Sequence, residues 1–507
     1  LKPVIAVLTV LLSAPAAFAQ SAPGGTLVYG TAAGPATLDP YAAGGTADWE
    51  IAAHIFEGLV GLDEQFNPKP MLAASIDTSA DAKTYTFTLR KGVTFQNGKP
   101  MTATDVIASF RRYQKVSPNA IILDGVESYD STGPTSFIVH LKQPNAVFIN
   151  MLATPLYPLA ILPAEEESKP AREADIIGTG PFRLGDWLRD DHLDLQLFDG
   201  YAADDRETGL DGLVGHKTAL VDRVRVRFLP ETNARIAALR SGSVDLISTI
   251  SPDTAKGLQA DPKVVVMSVF PGTQAMLVLN SRNGPTANVL IRQAIEAVVD
   301  AHEIVAATGQ LARFNPAMLY ATSPYYDVPS NQGHYDLHDV ALARQKLHEA
   351  GYTNERIVLQ TNASYGFMRD AILVLAEEMK TAGMNADVDM VDWTTNSNNM
   401  QRGTGNWNVS TTGFSPAPLL GPQQWRNQVY NFAQIKDDAA LDDAYRRFFT
   451  QLDPAGRKQA WADIQQDVYG KAYFIKIADY GFMSARKADL KGYSPWIISR
   501  FFGVSAP

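Results

Sequence analysis

Between residues 84 and 89 three threonines alternate with Tyr85, Phe87 and Leu89, the period-two pattern of a half-buried strand. Gly92 breaks the run, and a second short strand is expected at 93–95. Asn97-Gly98 supplies a turn, and an amphipathic helix is predicted from near Thr104, with Thr102 or Thr104 as its cap ahead of Asp105. The stretch holds no base beside a nucleophile, no phosphate-cradling glycine loop and no metal-ligand spacing. Its order therefore predicts a scaffold.

The same alternation of short strands and amphipathic helices continues along the chain. RVRVRFLP (223–230) leads into ETNARIAALRSGSVDLI (231–247), where Ile236 and Leu239 share a helical face and Ser241-Gly242 ends it. AMLVLN (275–280) leads into NVLIRQAIEAVVD (288–300). RIVLQTN (356–362) leads into RDAILVLAEEMKTAG (369–383) and then NADVDMVDW (385–393). Such units predict mixed α/β lobes. VFPGTQ (269–274) and FIKIADYGF (474–482) look like two crossings between lobes, and paired crossings make a hinge that encloses a cleft. Asp-rich 437–449 reads as a helix start with favourable charge at its N-terminus.

Composition narrows the partner. The 507 residues are 46% apolar and 19% charged, with a net charge of -10. That length calls for more than one core, and the acidic balance disfavours nucleic acid and anionic membrane, leaving a small ligand. Lys2, the apolar run 4–12, Pro15 and Ala17-Phe18-Ala19 read as an export signal cleaved after Ala19. The chain contains no cysteine, so neither a disulfide nor a lipid-modified cysteine is expected. A freely diffusing protein of a bacterial periplasm is the simplest expectation.

Eight segments, taken in order, carry a resemblance. They are the opening stretch, GPATLDP (34–40), HIFEGLV (54–60), IGTGPFRLGDW (177–187), ARIAALRSGSVDLI (234–247), VLNSRNGPTANVLIRQAIEAVVD (278–300), ARQKLHEAGY (343–352) and AEEMKTAGMNADVDMVDW (376–393). Together the chain resembles the family 5 solute-binding proteins, the peptide, nickel and opine group serving ABC importers. The resemblance implies an α/β, two-lobed Venus-flytrap fold of the type II, cluster C-like kind with an extra subdomain in the first lobe. The implied division is a signal at 1–19, a first lobe of 20–270 plus 481–507 with the subdomain at about 50–180, and a second lobe of 271–480. It also implies a monomer that takes a small-molecule or peptide ligand, no cofactor, and an inner-membrane ABC permease with ATPase subunits as partners.

In peptide-binding relatives an aspartate after the DW strand pairs with the ligand's amino terminus. Here no Asp or Glu occurs from Trp393 to Lys436, and Arg402, Arg426 and Lys436 are the only charges. A buried ammonium without a counter-charge would be costly. Candidate ligand contacts in this region are Arg402, Trp407, Thr411, Thr412, Gly413, Phe414, Ser415, Trp425 and Arg426, with core anchoring as the alternative for Trp407 and Trp425. The turn at Ala33 and Gly34 is where relatives bring first-lobe backbone to the ligand, and it reads equally as a plain strand exit. Arg313 lies near the stretch that supplies an arginine for a ligand carboxylate in relatives, a solvated surface role being its alternative. His334 and His338, with His348 further on, form an H-x3-H pair whose metal role depends on a helix that its setting does not favour.

Three other ligand readings keep the fold: an opine, a sugar or sugar phosphate, and a metal chelate. A chaperone-like peptide binder is a further alternative. A hydrolase is disfavoured, since neither G-x-S-x-G nor H-E-x-x-H occurs.

Overall fold

The computed structural model describes residues 24–42, 45–155, 158–414 and 421–506. The export-signal reading and Ser415 lie outside them. Most strands join one eleven-stranded sheet. Its main members are β1 (Thr26–Thr31), β2 (Arg223–Phe228), β3 (Leu246–Ile247), β4 (Val264–Leu279), β5 (Arg356–Asn362), β6 (Asn385–Val391), β7 (Val409–Phe414) and β8 (Phe474–Lys487). They run in the order β6-β5-β7-β4-β8-β3-β1-β2, extended past β2 by the hairpin strands His192–Leu197 and Phe182–Leu188. The remaining strand, Ala312–Arg313, pairs with β8 off this path.

β4 and β8 are the two long members, antiparallel to each other across the whole sheet. Residues 264–269 of β4 face 482–487 of β8, and 273–278 face 474–480. Between the two ladders the register slips at 270–272. There Gly272 approaches the Tyr480 carbonyl so closely that a Cβ would sit 2.5 Å from its oxygen, which explains a glycine at this crossover.

Helices clothe the sheet: α1 (Thr46–Ile55) and α2 (Ala103–Val116) at one end, and α3 (Val289–Val298), α4 (Ala301–Thr308), α5 (Gly366–Thr381) and α6 (Trp393–Arg402) at the other. Strand alternation divides the second half into two cores. Ala275, Leu277 and Leu279 of β4 pack with Ile291 and Ile295 of α3 and Leu375 of α5. Met276 and Val278 point the other way, into a core shared with Trp461 and Phe448 from the helices Pro454–Gly470 and Ala439–Thr450. β5 is buried from Ile357 to Asn362, the continuous run expected of a strand covered on both faces.

A bulge in β8 puts a charge inside. Ala478 pairs with Ala275 and Lys476 with Met276, so Ile477 is an extra residue. Ile475 and the bulged Ile477, and Ala478 and Tyr480 on its other side, therefore reach the same core, while Lys476 and Asp479 share the opposite face. Both are buried; Lys476 Nζ and Asp479 Oδ1 form an ion pair, and Asn315 Nδ2 donates to Asp479 Oδ2 at 2.7 Å. Burial pushes the Lys476 ammonium below its ordinary range, against the pull of Asp479.

The opening stretch forms part of a four-stranded antiparallel sheet, with Thr84–Leu89 between Ala73–Thr78 and Ser136–Leu141. Thr102 caps α2, the Asp105 carboxylate accepting from its amide at 2.8 Å and from its hydroxyl at 2.7 Å. The expected strand at 93–95 is instead an isolated bridge, Thr94 to Pro100, around the Asn97-Gly98 turn. Further along α2, Arg112 is fully buried and bonds both oxygens of Asp39, at 3.0 and 2.6 Å. The scaffold thus grips the segment that follows β1.

The chain's last residues return to the first half. Glu50 accepts from the Ser499 amide at 2.7 Å, and the Phe501 amide donates to His54 Nε2 at 3.1 Å, leaving Nδ1–H to donate to the Glu50 carbonyl at 2.9 Å. Burial pushes the His54 imidazole down to about 3.

Asp479→Ala is expected to strand the Lys476 cation and cost about 3–5 kcal/mol in urea unfolding, whereas the double change Lys476→Met with Asp479→Leu should cost clearly less. Equal losses would show that the pair contributes no such constraint. The neutral His54 sets a second expectation. Between pH 6.5 and 3 the unfolded chain binds a proton at this site that the folded chain refuses, so stability contributed above pH 6.5 is lost as pH falls, by up to about 1.4 kcal/mol per pH unit. In an NMR titration the His54 ring should stay neutral down to pH 4; a midpoint near pH 6 contradicts this assignment.

Candidate functional site

Strand direction decides where a site can form. β1 runs parallel to β2 and β3, and β5 runs parallel to β6 and β7. β3 is antiparallel to the distal part of β8, and β7 pairs antiparallel with β4 so that Phe414 lies opposite Gln274. The carboxyl ends of both parallel sets therefore point at the crossover. In open α/β sheets this is the position where ligands are received.

On the first-half side, a cavity of about 290 Å³ is lined by Thr31, Ala33, Glu50, Thr249, Phe482 and Trp496, among others. Ser248 and Thr249 extend from β3, and the Ser248 hydroxyl donates to Thr31 Oγ1 at 3.3 Å. Thr249 adopts a left-handed backbone, φ 55°, which is strained for a β-branched residue. Buried Arg235 holds it there, donating to the Thr249 carbonyl at 3.0 Å and to the carbonyls of Leu229 and Pro230 at 2.6 and 2.7 Å. Glu50 closes the cavity floor, and burial raises its carboxyl above the ordinary range. The Tyr29 hydroxyl donates to it at 3.2 Å.

The opposite wall is aromatic. Trp393, at the start of α6, meets Tyr365 edge-on at 4.9 Å between ring centroids. Tyr365 in turn meets Phe367 at 6.4 Å, and Phe367 meets Tyr480 of β8 at 5.7 Å. Tyr365 is 42% exposed, and Phe482 across the crossover 38%, so these large apolar faces are open. Gly413 lets Phe367 and Thr273 come close, since a Cβ there would lie 2.9 and 2.5 Å from their side chains. The Thr308 and Tyr480 hydroxyls lie 3.3 Å apart, tying the end of α4 to the crossover.

Arg313 adds charge at the crossover. Its short strand pairs with β8 opposite Asp479, and its guanidinium stacks on Phe270 at 4.0 Å. The side chain is exposed, and among the described residues no carboxylate lies within ion-pair distance of it. Asp479 itself is committed to Lys476 and Asn315.

The other candidates read from the sequence are distributed differently. Ala33 lines the cavity, and Gly34 packs on the Phe228 ring, where a Cβ would be 2.7 Å away. Trp407, 1% exposed, and Trp425, fully buried, belong to the second-half core with Phe414; the structure puts them in the core rather than on a ligand wall. Thr411 is also buried, its hydroxyl donating to the Met368 carbonyl at 3.2 Å, and Thr412 is buried beside it. Arg402 ends α6, whose first turn is the part at the crossover, so it lies about 15 Å away along the helix axis. Arg426 lies on the surface with its guanidinium over the Tyr430 ring. His334 and His338 do not form a pair: the segment is a loop, and they face Glu296 and Asp300 respectively.

Tyr365, Phe367, Trp393, Ser248, Thr249 and Phe482 are the site residues that pattern reading missed. Their common signal is a position just past the carboxyl end of a parallel strand or at the crossover.

Comparison with known proteins accords with this geometry. The model for bacterial extracellular solute-binding proteins, family 5 (middle) matches residues 67–434. The chain is 26% identical over 486 residues to the glutathione-binding protein GsiB of Escherichia coli (strain K12), covering 91% of this chain and 90% of that one. Among solved structures, NikA from Brucella suis in complex with Fe(III)-EDTA is similar at a TM-score of 0.79 and 19% identity, covering 95% of this chain and all of that one. The periplasmic binding protein DppA from Helicobacter pylori, in complex with the peptide STSA, is similar at 0.74 and 22%, covering 95% and 98%. With a two-lobed α/β architecture, a cleft at the crossover and a family match over most of its length, this chain belongs to the bacterial extracellular solute-binding proteins of family 5.

Proposed function

We propose that the protein is the ligand-capturing component of an ABC importer for a peptide-like solute that carries a carboxylate. The observation that carries this reading is Arg313, an exposed guanidinium with no acidic partner among the described residues, stacked on Phe270 at the same crossover that carries the four-ring wall. Relatives named for glutathione and peptides support the solute class. The rings take the apolar part of the solute, and Arg313 bonds its acid in two places. Residues 393–436 carry no carboxylate for a ligand ammonium. Glu50, which lines the first-half cavity, is occupied by Tyr29 and Ser499.

On this reading the protein works as a monomer outside the cytoplasmic membrane. It closes residues 271–480 against 20–270 with 481–507, hands its ligand to a permease and its ATPase subunits, and returns it chemically unaltered. No helix among the described residues is long and apolar enough to cross a membrane.

A thermal-shift and calorimetric panel of short peptides tests the solute class. Peptides with a free C-terminal carboxylate should bind and their C-terminal amides should bind more weakly, whereas N-acetylation should have little effect. Arg313→Ala should lose the charge-assisted bonds, about 1.5–3 kcal/mol, or roughly tenfold to a hundredfold in affinity. Binding abolished by N-acetylation and indifferent to Arg313→Ala would overturn the assignment. Small-angle scattering with the best-binding peptide should show a smaller radius of gyration than without it; an unchanged radius at saturation would contradict closure.

A further inference from the structure

Two runs of the same kind, Asp300-Ala301-His302 and Asp336-Leu337-His338, meet on the outer side of the second lobe. The first opens α4, whose other end touches Tyr480 at the crossover, so the meeting point lies about a helix length, roughly 12 Å, from the cleft. The runs pair crosswise. His302 Nδ1 lies 2.8 Å from Asp336 Oδ2, and His338 Nδ1 lies 2.7 Å from Asp300 Oδ2. One ligand atom each from Asp300, His302 and Asp336 falls within 4.8 Å of the others.

The supporting bonds fix these groups from behind. Asp336 Oδ1 accepts from the Ala301 amide at 2.7 Å and Asp300 Oδ1 from the Glu303 amide at 2.9 Å, leaving the other oxygen of each carboxylate toward a histidine. The His302 ring is held flat on Phe314 at 3.9 Å. Such outer bonds orient metal ligands.

Glu378 supplies an independent observation. Only 8% exposed, it accepts from the Asp300 amide with Oε1, and its Oε2 has no hydrogen-bond partner among the described residues. Three acidic side chains, Asp300, Asp336 and the buried Glu378, thus gather at one spot with two imidazoles, an excess of oxygen and nitrogen lone pairs that a cation would relieve.

We propose that Asp300, His302 and Asp336, with His338 beside Asp300 as a fourth donor, form a divalent-cation site of the zinc type. Mixed imidazole and carboxylate donors suit zinc; the Asp300, His302 and Asp336 atoms already lie within 4.8 Å of one another, and His338 reaches the same ion by turning from its present place on Asp300. The ion takes the place of the hydrogen bond within each pair, each imidazole coordinating through Nδ1 as the tautomer with its proton on Nε2, and ties the start of α4 to the loop at 336–338. Its role is structural and separate from the solute cleft.

The test is calorimetric titration of the chelator-stripped full protein with zinc chloride, alongside thermal unfolding. One equivalent should bind, the melting temperature should rise, and a chelator should reverse the rise. His302→Ala and Asp336→Asn should each weaken zinc binding at least about tenfold, while His334→Ala, which changes a histidine outside the cluster, should leave it unchanged. Circular dichroism and solute affinity should be unaltered in all three. Calcium should bind far more weakly. The proposal fails if the wild type shows no saturable zinc binding, if the His302 and Asp336 variants bind as well as it does, or if calcium matches zinc.

Discussion

The pairing of β4 with β8 is the constraint on which the rest of the structure depends. These strands carry both chain crossings, and the rest of the large sheet is built outward from them, strand upon strand, on either side. Two irregularities make the pairing specific. The slip at 270–272 ends one ladder and begins another, and the bulge at Ile477 rotates the next residues so that Lys476 and Asp479 share a face. Two buried charges tolerate no shift of register, because displacing either leaves an ion without its partner in a medium that cannot solvate it. The ion pair thus favours one register over its neighbours.

From that pairing the site follows by direction alone. Once β7 runs antiparallel to β4, and β5 and β6 follow β7, their carboxyl ends come to the crossover, and so do those of β1, β2 and β3 from the other side. The loops leaving these ends face one another without further design. Their shape is then stabilised from outside the cleft. Arg112 on α2 clamps Asp39 behind the β1 loop, and Arg235 holds Thr249 in a conformation a threonine would otherwise avoid. Both arginines are buried, where their hydrogen bonds do not compete with water. The extra four-stranded sheet therefore contributes to the cleft without touching it, by fixing one of the segments that line it.

Much of this was legible in the amino-acid order. The threonine alternation of 84–89, the Thr102 cap, the Gly242 stop and the helices of the second lobe are all local patterns, and each formed as its pattern dictates. Eight ordered segments were enough to place the chain in its family. The site was less legible. Reading the region after the DW strand as one ligand-facing stretch treated neighbours in sequence as neighbours in space. Yet α6 leads away from the cleft and β7 leads back, so Arg402 and Trp407 lie at the far end while Trp393 and Gly413 lie at the near one.

The sequence by itself determined the secondary elements, their caps and turns, and the α/β class, because those depend on side-chain periodicity over a few residues and on backbone preferences of single ones. Only the tertiary structure decided which aromatic residues became walls and which became core. Trp393 and Trp407 are chemically the same side chain fourteen positions apart, and what separates them is the strand and helix directions that leave one at the crossover and seal the other beneath a sheet. The same holds for the two Asp-x-His runs and for Lys476 with Asp479. Their meaning rests on contacts between segments that only folding brings together, and no local pattern encodes such a contact.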